Sequence, residues 1–359
     1  MIRVFVVDDS AFARRATTRV LQVDPELQVV GEAANGSEAL ARIPAVRPDV
    51  VTLDLDMPGI NGLAALKALL IRDPTLRIIM LSAHTKEGAE ATLEALAAGA
   101  TDFLDKSRFG LMDLEGFGRE LRDRVRALGS RRERARPGEN GRNPAASTAS
   151  RPVPPGLAHT RPLAIDLCVL GASTGGPAAI QRVLELLPAD FPVPIAIVQH
   201  MPPGFTAPFA SRLNAHCRLA VSEARDGDQL VAGQVVIAPA GRHITFTSNL
   251  TVVLSPEPLN ARHVPSATVM MLSASRVRPG RVLGVLLTGM GDDGADGMLA
   301  IRAGGGVTVA ESEESCVVYG MPRAAAERGG VDRLLPIGAL AEWLAGVKAG
   351  FPATTGGRR

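Results

Sequence analysis

A stretch with almost no large apolar side chains divides this chain of 359 residues into two parts. Residues 130–162 are rich in Arg, Pro, Gly and Ser, so they cannot bury enough apolar surface to offset the entropy lost on ordering. We therefore predict a flexible linker at 129–162 between two folded domains, residues 1–128 and 163–350, with a frayed tail at 351–359. The basic residues of the linker are interpreted as a solvated tether, and binding to an acidic partner surface is the less favoured alternative.

The composition argues against several classes of function. Aromatic residues make up only 3% of the chain and the net charge is +2, which disfavours a nucleic-acid-binding protein. The three cysteines lack metal-type spacing and are typical of reduced thiols in the cytosol. Asp8 and Asp9 come too early for a signal peptide, and no apolar run reaches the ~18 residues of a membrane helix. We expect a cytoplasmic, monomeric protein without membrane insertion.

Five short apolar runs alternate with five amphipathic segments in the first domain. The runs predict strands, and the segments with helical periodicity predict helices on both faces of a parallel sheet. The predicted strands are residues 3–7, 28–33, 49–53, 77–82 and 101–104, and the predicted helices are residues 11–22, 37–43, 62–71, 87–98 and 114–128. This pattern is that of a doubly wound, five-stranded α/β domain, in which ligands bind beyond the carboxyl ends of the strands.

Polar residues lie where that rule places a ligand. Asp8 and Asp9 end the first strand, Asp54 ends the third, Ser82 ends the fourth and Lys106 follows the fifth. Converging carboxylates repel one another unless a cation or a proton compensates, and Mg²⁺ with retained waters suits them. A single strand-end acid is often a solvated residue or a helix cap. Five polar groups at one edge instead predict a site for Mg²⁺ and a phosphoryl group.

Four motifs of this domain resemble the receiver domain of two-component response regulators. They are VVDDS at 6–10, LDLDMPGING at 53–62, LS at 81–82 and DFLDK at 102–106. The resemblance implies that Asp54 accepts a phosphoryl group from a histidine kinase. It further implies Mg²⁺ bound by Asp8, Asp9, Asp54 and the carbonyl of Asp56, phosphoryl contacts from Ser82 and Lys106, and an aromatic switch at Phe103. The family usually has proline after the lysine, where this chain has Ser107, and we expect that departure to alter only the local turn.

Apolar runs in the second domain predict another doubly wound and mainly parallel α/β sheet. The predicted strands are residues 165–170, 194–199, 234–238, 250–254, 282–288 and 307–310. Residues 243–247 and 250–254, joined by Ser248 and Asn249, are interpreted as a β-hairpin inserted in this sheet.

Ser173 lies on a glycine turn directly after the first of these strands. The turn reads GASTGG at 171–176 and fits the G-x-S-x-G pattern of a nucleophile elbow. Small-residue turns of this kind also bind phosphate or simply allow tight packing. A nucleophilic serine needs a base and a third group that orients the base. His200 follows the second strand and is the favoured base, because the other histidines lie in the linker, turns, helices or strand starts. Asp292 and Asp293 follow the strand at 282–288, and spacing alone allows either to orient His200.

Five further motifs resemble the catalytic domain of chemotaxis protein-glutamate methylesterases. They are GASTGG at 171–176, VQHMPPGF at 198–205, APAGRH at 238–243, LTGMGDDG at 287–294 and VYGMPR at 318–323. The resemblance implies Ser173 as nucleophile, His200 as base and Asp293 as the orienting group, assisted by Thr174 and by the Met290 amide at the oxyanion. No zinc ion or organic cofactor is implied at this site. The family commonly has aspartate at the position of Thr268, and we expect that departure to leave the triad untouched.

The two resemblances together imply a phosphorylation-regulated serine esterase of sensory adaptation. It would hydrolyse glutamate methyl esters on the cytoplasmic helices of chemoreceptors, and the same acyl intermediate would serve deamidation of receptor glutamines. Phosphorylation of Asp54 would control access to Ser173. The alternative is a response regulator whose output domain binds a partner or a nucleotide through the loop at 171–176 without catalysis.

Overall fold

The computed structural model describes residues 1–82, 85–106, 114–135 and 165–347. The chain divides into two compact units, Met1–Arg142 and Asn143–Arg359, and each is described by itself. Ser107, most of the predicted linker and the predicted tail lie outside the described residues. Among the described helices, none combines the length and the apolar character needed to span a bilayer.

The first unit is a five-stranded parallel sheet with the strand order β2-β1-β3-β4-β5, which confirms the predicted doubly wound α/β fold. Its elements are β1 (Ile2–Val7), α1 (Ala11–Gln22), β2 (Leu27–Ala33), α2 (Gly36–Val46), β3 (Val50–Asp54), α3 (Gly62–Arg72), β4 (Arg77–Ser82), α4 (Lys86–Ala97), β5 (Asp102–Asp105) and α5 (Leu114–Ala135). Helix α5 continues past residue 128, where we expected the linker to begin. The added turns consist mainly of Arg, Glu and Ala, which favour the helix.

Polar caps fix where the helices of this unit begin. Ser10, Asn35, Asn61 and Thr85 each accept a hydrogen bond from the amide three residues further on. Such a cap stabilises a helix by ~1 kcal/mol because it satisfies an amide without an intrahelical partner. The caps therefore end the loops that follow β1, β2, β3 and β4, and they keep those loops short at the carboxyl edge of the sheet.

The second unit contains a seven-stranded sheet in the order β14-β13-β12-β6-β7-β9-β8, and every pairing in it is parallel. Its strands are β6 (Leu167–Ala172), β7 (Ile195–Gln199), β8 (Ala220–Glu223), β9 (Gln234–Ile237), β10 (His243–Phe246), β11 (Val252–Ser255), β12 (Val282–Leu286), β13 (Val307–Glu311) and β14 (Arg333–Leu335). Its helices are α6 (Gly176–Leu186), α7 (Thr206–His216), α8 (Ala267–Val277), α9 (Ala295–Ala303), α10 (Met321–Glu327) and α11 (Ile337–Ala345). The predicted parallel α/β fold is confirmed.

The predicted hairpin forms, but its place in the fold differs from our expectation. Among the described strands, β10 and β11 pair only with each other and make a separate antiparallel sheet. The amide of Phe246 in β10 donates to the hydroxyl of Ser273 in α8 at 2.9 Å, so the hairpin packs on that helix. Hydrophobic alternation predicts that a segment is a strand, but it does not say which sheet the strand joins.

Strand β6 lies at the point where the direction of the strand order reverses. From β6 the chain builds one side of the sheet through β7, β9 and β8, and then returns to the other side through β12, β13 and β14. Ligands of open α/β sheets bind at such a switch point, beyond the carboxyl ends of the strands. The loops after β6, β7 and β12 meet at that edge.

Candidate active site and phosphoacceptor site

Ser173 and His200 follow neighbouring strands at the same edge of the large sheet. Ala172 pairs with Gln199 in the register of β6 and β7, so Ser173 and His200 are the next residues of each strand. The His200 amide donates to the carbonyl of Ala172 at 3.2 Å, and the Ser173 amide donates to the carbonyl of Thr288 at 3.0 Å. The three predicted strand ends are therefore brought together.

The turn after β6 requires its small residues. Gly175 adopts φ 77° as the N-cap of α6, and a Cβ there would lie 2.5 Å from Cβ of Val317. The carbonyl of Ser173 accepts hydrogen bonds from the Gly176 amide at 2.8 Å and from Nε2 of Gln199 at 2.9 Å. These contacts fix the backbone of the half-buried Ser173 at the start of α6.

Asp293 binds His200 and is held by the beginning of α8. Its Oδ2 lies 2.8 Å from Nε2 of His200 and 2.7 Å from the Ala267 amide. Its Oδ1 accepts from the Ser266 hydroxyl at 2.7 Å and from the Thr268 amide at 3.0 Å. Burial alone would raise the pKa of Asp293, but the contacts with His200, Ser266 and Thr268 outweigh burial and hold that pKa well below its usual range. Asp293 is therefore an ionised carboxylate at neutral pH.

The neighbouring Asp292 has a different partner. It is exposed, and its Oδ2 lies 2.5 Å from the guanidinium of Arg328, which also binds Asp296 at 2.7 Å. Of the two acids that spacing left equivalent, Asp293 contacts His200 and Asp292 contacts Arg328.

Thr268 lies closer to these groups than the sequence suggested. Besides its amide contact with Asp293, its hydroxyl accepts from the Gly294 amide at 2.7 Å. Gly294 is the N-cap of α9 at φ 90°, and it directly follows Asp293. Thr268 therefore braces the turn that carries Asp293, and the effect of the departure at this position on the triad stays a prediction.

A second histidine covers the ring of His200. His263 stacks on it with 4.2 Å between ring centroids and 15° between the ring planes. Burial, and after it the charge of His200, lowers the pKa of His263 to about 4, so His263 is neutral near pH 7. The second ring nitrogen of His200, Nδ1, is buried and makes no hydrogen bond within the described part of the chain. No sequence pattern indicated that His263 lies here, since this residue does not directly follow a strand.

The loop after β12 approaches Ser173 closely. A Cβ on Gly289 would lie 2.9 Å from Cβ of Ser173, so only glycine fits there. The hydroxyl of Thr288 donates to the carbonyl of Thr174 at 2.9 Å, and Gly289 donates to Val318 at 3.0 Å. Within the described residues, the next amide, that of Met290, makes no backbone hydrogen bond. The Met290 amide is therefore a backbone donor that directly follows the close approach of Gly289 to Ser173.

The acidic residues of the first unit also converge. One carboxylate oxygen each of Asp8, Asp9 and Asp54 lies within 4.8 Å of the others. Nζ of Lys106 lies 3.0 Å from Asp8 and 2.8 Å from Asp54. Burial raises the pKa of Asp54 to about 6, although Lys106 opposes the shift. Three hard oxygen donors this close suit Mg²⁺.

The remaining predicted residues of this site lie around those carboxylates. The amide of Asp56 is 3.4 Å from Oδ1 of Asp54. Ser82 is buried at the end of β4, and its hydroxyl accepts from Thr92 of α4 at 2.6 Å. Phe103 is buried in β5. Ser82 therefore links the carboxyl edge of the sheet to α4.

The folds and sites define a class of protein: a response regulator with an acidic receiver site in one unit and a second α/β unit as its output. Residues 4–114 match the family model of the response regulator receiver domain. Residues 168–344 match the family model described as CheB methylesterase.

Relatives with both units give the family. The chain is 43% identical to protein-glutamate methylesterase/protein-glutamine glutaminase 1 of Oleidesulfovibrio alaskensis, across 95% of this chain and 98% of the relative. It is 41% identical to the protein-glutamate methylesterase/protein-glutamine glutaminase of Lawsonia intracellularis, across 96% and 99%. The crystal structure of the Thermotoga maritima CheB methylesterase catalytic domain covers 51% of this chain and 98% of that one, with 37% identity and a TM-score of 0.49. The chain belongs to the family of protein-glutamate methylesterases/protein-glutamine glutaminases.

Proposed function

We propose that this protein is a phosphorylation-regulated serine esterase that hydrolyses glutamate methyl esters on chemoreceptors. The relatives at 41–43% identity carry the name of that activity. The observation that carries the proposal is the 2.8 Å contact between His200 and Asp293. Ser173 and His200 directly follow the paired residues that end two neighbouring strands. The catalytic triad of the proposal is Ser173, His200 and Asp293.

The contact with Asp293 selects the tautomer of His200 that catalysis needs. A carboxylate only accepts, so Nε2 of His200 carries the ring proton and Nδ1 carries the lone pair. Nδ1 then accepts the hydroxyl proton of Ser173 as Oγ bonds to the γ-carbonyl carbon of the methyl ester. The charge that develops on the carbonyl oxygen is stabilised by the Met290 amide, and one such donor contributes ~2.7–4 kcal/mol.

The same groups complete the acyl-enzyme and then hydrolyse it. The imidazolium of His200 gives its proton to the departing methoxy oxygen, so the carbon–oxygen bond breaks and methanol leaves. Water then gives a proton to Nδ1 as its oxygen bonds to the acyl carbon. The bond between that carbon and Oγ breaks, and the His200 imidazolium returns the proton to Oγ, which restores Ser173 and leaves a glutamate. A glutamine side chain passes through the same intermediate and releases ammonia. Thr174 assists as the buried neighbour of Ser173, and the carbonyl of Thr174 accepts a hydrogen bond from the Thr288 hydroxyl.

Control of this site is assigned to the first unit. Asp54 accepts the phosphoryl group from a histidine kinase, Lys106 contacts that group, and Ser82 and Phe103 respond to it. Asp8, Asp9 and Asp54, with the carbonyl of Asp56, would hold Mg²⁺, which supplies neutralising charge at the phosphoryl oxygens when bound. From the sequence we propose domains at 1–128 and 163–350 joined by a flexible tether. Such a tether would let phosphorylation of the first domain act on the second without a rigid connection.

Methanol release from methylated receptor membranes tests the proposal. The full-length protein should release methanol, Ser173→Ala should not, and Ser211→Ala, an exposed serine on α7, should match the wild type. A phosphodonor should raise the wild-type rate and leave the Asp54→Ala rate unchanged. A wild-type protein that binds receptor membranes without releasing methanol would refute the esterase and favour a non-catalytic output domain.

A further inference from the structure

The hydroxyl of Ser266, at the start of α8, accepts one hydrogen bond and donates another. Ser266 is the N-cap of α8, and its Oγ accepts from the Val269 amide at 3.3 Å. The proton of that hydroxyl is donated to Oδ1 of Asp293 at 2.7 Å. An alanine at this position would lose both bonds, whereas the other α8 donors to Asp293 are backbone amides that no side-chain change removes.

The backbone of Ser266 is itself fixed by a buried histidine. Its amide donates to Nδ1 of His243 at 3.1 Å, and His243 is fully buried at the start of β10. A ring nitrogen that accepts a hydrogen bond carries no proton, so His243 is the neutral Nε2–H tautomer in this contact. The residues form a continuous series: His243 holds Ser266, Ser266 holds Oδ1 of Asp293, and Oδ2 of Asp293 holds His200.

We propose that Ser266, held in place by His243, is the positioning residue that aims Asp293 at His200. The inference rests on the proposed esterase function. Oδ1 of Asp293, the oxygen opposite to His200, is bound by the Ser266 hydroxyl at 2.7 Å and by the Thr268 amide at 3.0 Å. The Ser266 hydroxyl is the shorter of these two contacts, and it restricts rotation of the carboxylate about its Cβ–Cγ bond. Ser266 is buried, so it acts through Asp293 and does not touch the substrate.

Kinetics of three serine variants test this role. Ser266→Ala should lower kcat about 10- to 100-fold, the value of a hydrogen bond to a charged acceptor, with KM unchanged. Ser266→Thr keeps the hydroxyl and suits the extended N-cap conformation, so it should restore most of kcat. Ser273→Ala is the matched control, because it removes a hydroxyl from the same helix that contacts Phe246 instead of Asp293. A Ser266→Ala protein with wild-type kcat would overturn the proposal, as would equal losses in Ser266→Ala and Ser273→Ala.

A spectroscopic measurement separates this inference from the proposed function. The NMR signal of the His200 Nε2 proton reports its hydrogen bond to Asp293 whether or not the protein hydrolyses esters. We expect that signal to move upfield or vanish in Ser266→Ala and His243→Leu. It should persist in Ser266→Thr and in His243→Asn, which can still accept from the Ser266 amide. An unchanged signal in Ser266→Ala refutes the positioning role, whereas loss of methanol release in the wild type refutes only the esterase.

Discussion

Replacing Asp293 by asparagine tests the geometry of the esterase site with the fewest atoms changed. Each carboxylate oxygen accepts two hydrogen bonds: Oδ1 from Ser266 and Thr268, and Oδ2 from Ala267 and His200. An amide has only one acceptor oxygen, so its NH₂ group must face one of these pairs. If the NH₂ group faces Ser266 and Thr268, it points at the Thr268 amide, and a backbone amide cannot turn to become an acceptor. If the NH₂ group faces Ala267 and His200, it points at the Ala267 amide, and His200 must accept from it through Nε2 and carry the ring proton on Nδ1.

Both orientations carry a measurable cost. An unsatisfied buried donor costs ~1–3 kcal/mol, and Asp293→Asn should lower the free energy of unfolding by about that amount. The orientation that faces His200 imposes the wrong tautomer of the base, which lowers kcat by about 10⁴ in serine hydrolases. The other orientation keeps the tautomer but removes the negative charge that stabilises the His200 imidazolium, so we expect a loss of about 10³ to 10⁴ here. Because the pKa of Asp293 is lowered on folding, its stabilisation is complete above the unfolded carboxyl pKa of ~3.9 and is lost as pH falls further. The stability difference should therefore narrow below pH ~4.

Methanol release and urea unfolding measure these two effects, and Asp292→Asn is the matched control. Asp292 is exposed, and within the described residues Arg328 is its only ion-pair partner, so its variant should keep near-wild-type kcat and lose at most ~1 kcal/mol of stability. If Asp293→Asn stays within tenfold of the wild-type kcat, or if the two variants behave alike, the assignment of Asp293 is wrong.

Three further changes probe the surrounding groups. Gly289→Ala should abolish hydrolysis while circular dichroism shows a folded protein, because its Cβ would lie 2.9 Å from that of Ser173; an active variant contradicts the close approach. His263→Ala should lower kcat up to ~10-fold, whereas His263→Phe should keep it, because phenylalanine preserves the ring stack on His200. Equal kcat values for these two variants above pH 5, where the wild-type His263 ring is neutral, would refute this role. Lys106→Ala should slow Asp54 phosphorylation from a small phosphodonor; an unchanged rate would exclude the assigned contact.

The sequence predicted most elements of the fold because the buried strands are continuous apolar runs. The strands it missed, β8 and β14, lie at the two edges of the large sheet and are only 4 and 3 residues long. Short edge strands lack the apolar run that identifies a central strand. The hairpin was predicted as a pair of strands but placed in the wrong sheet, because its position depends on packing against α8.

In the candidate site too, local patterns predicted some residues, and the others depend on tertiary contacts. Ser173 and His200 could be placed from the sequence because each directly follows a buried strand. The choice between Asp292 and Asp293 could not come from spacing, since it depends on which carboxylate faces the start of α8. Three residues next to these groups, Ser266, His243 and His263, follow no predicted parallel strand. Their contacts join segments far apart in the chain, which a local pattern does not reveal.

The central claim is that Ser173 carries the acyl group during hydrolysis. Rapid acid quenching of the full-length protein with a methylated receptor peptide, followed by mass spectrometry of the fragment containing residues 171–176, measures that intermediate directly. The account predicts a substrate adduct on Ser173, with methanol released before the adduct decays. Methanol release without an adduct on Ser173, or release that persists in Ser173→Ala, would contradict it.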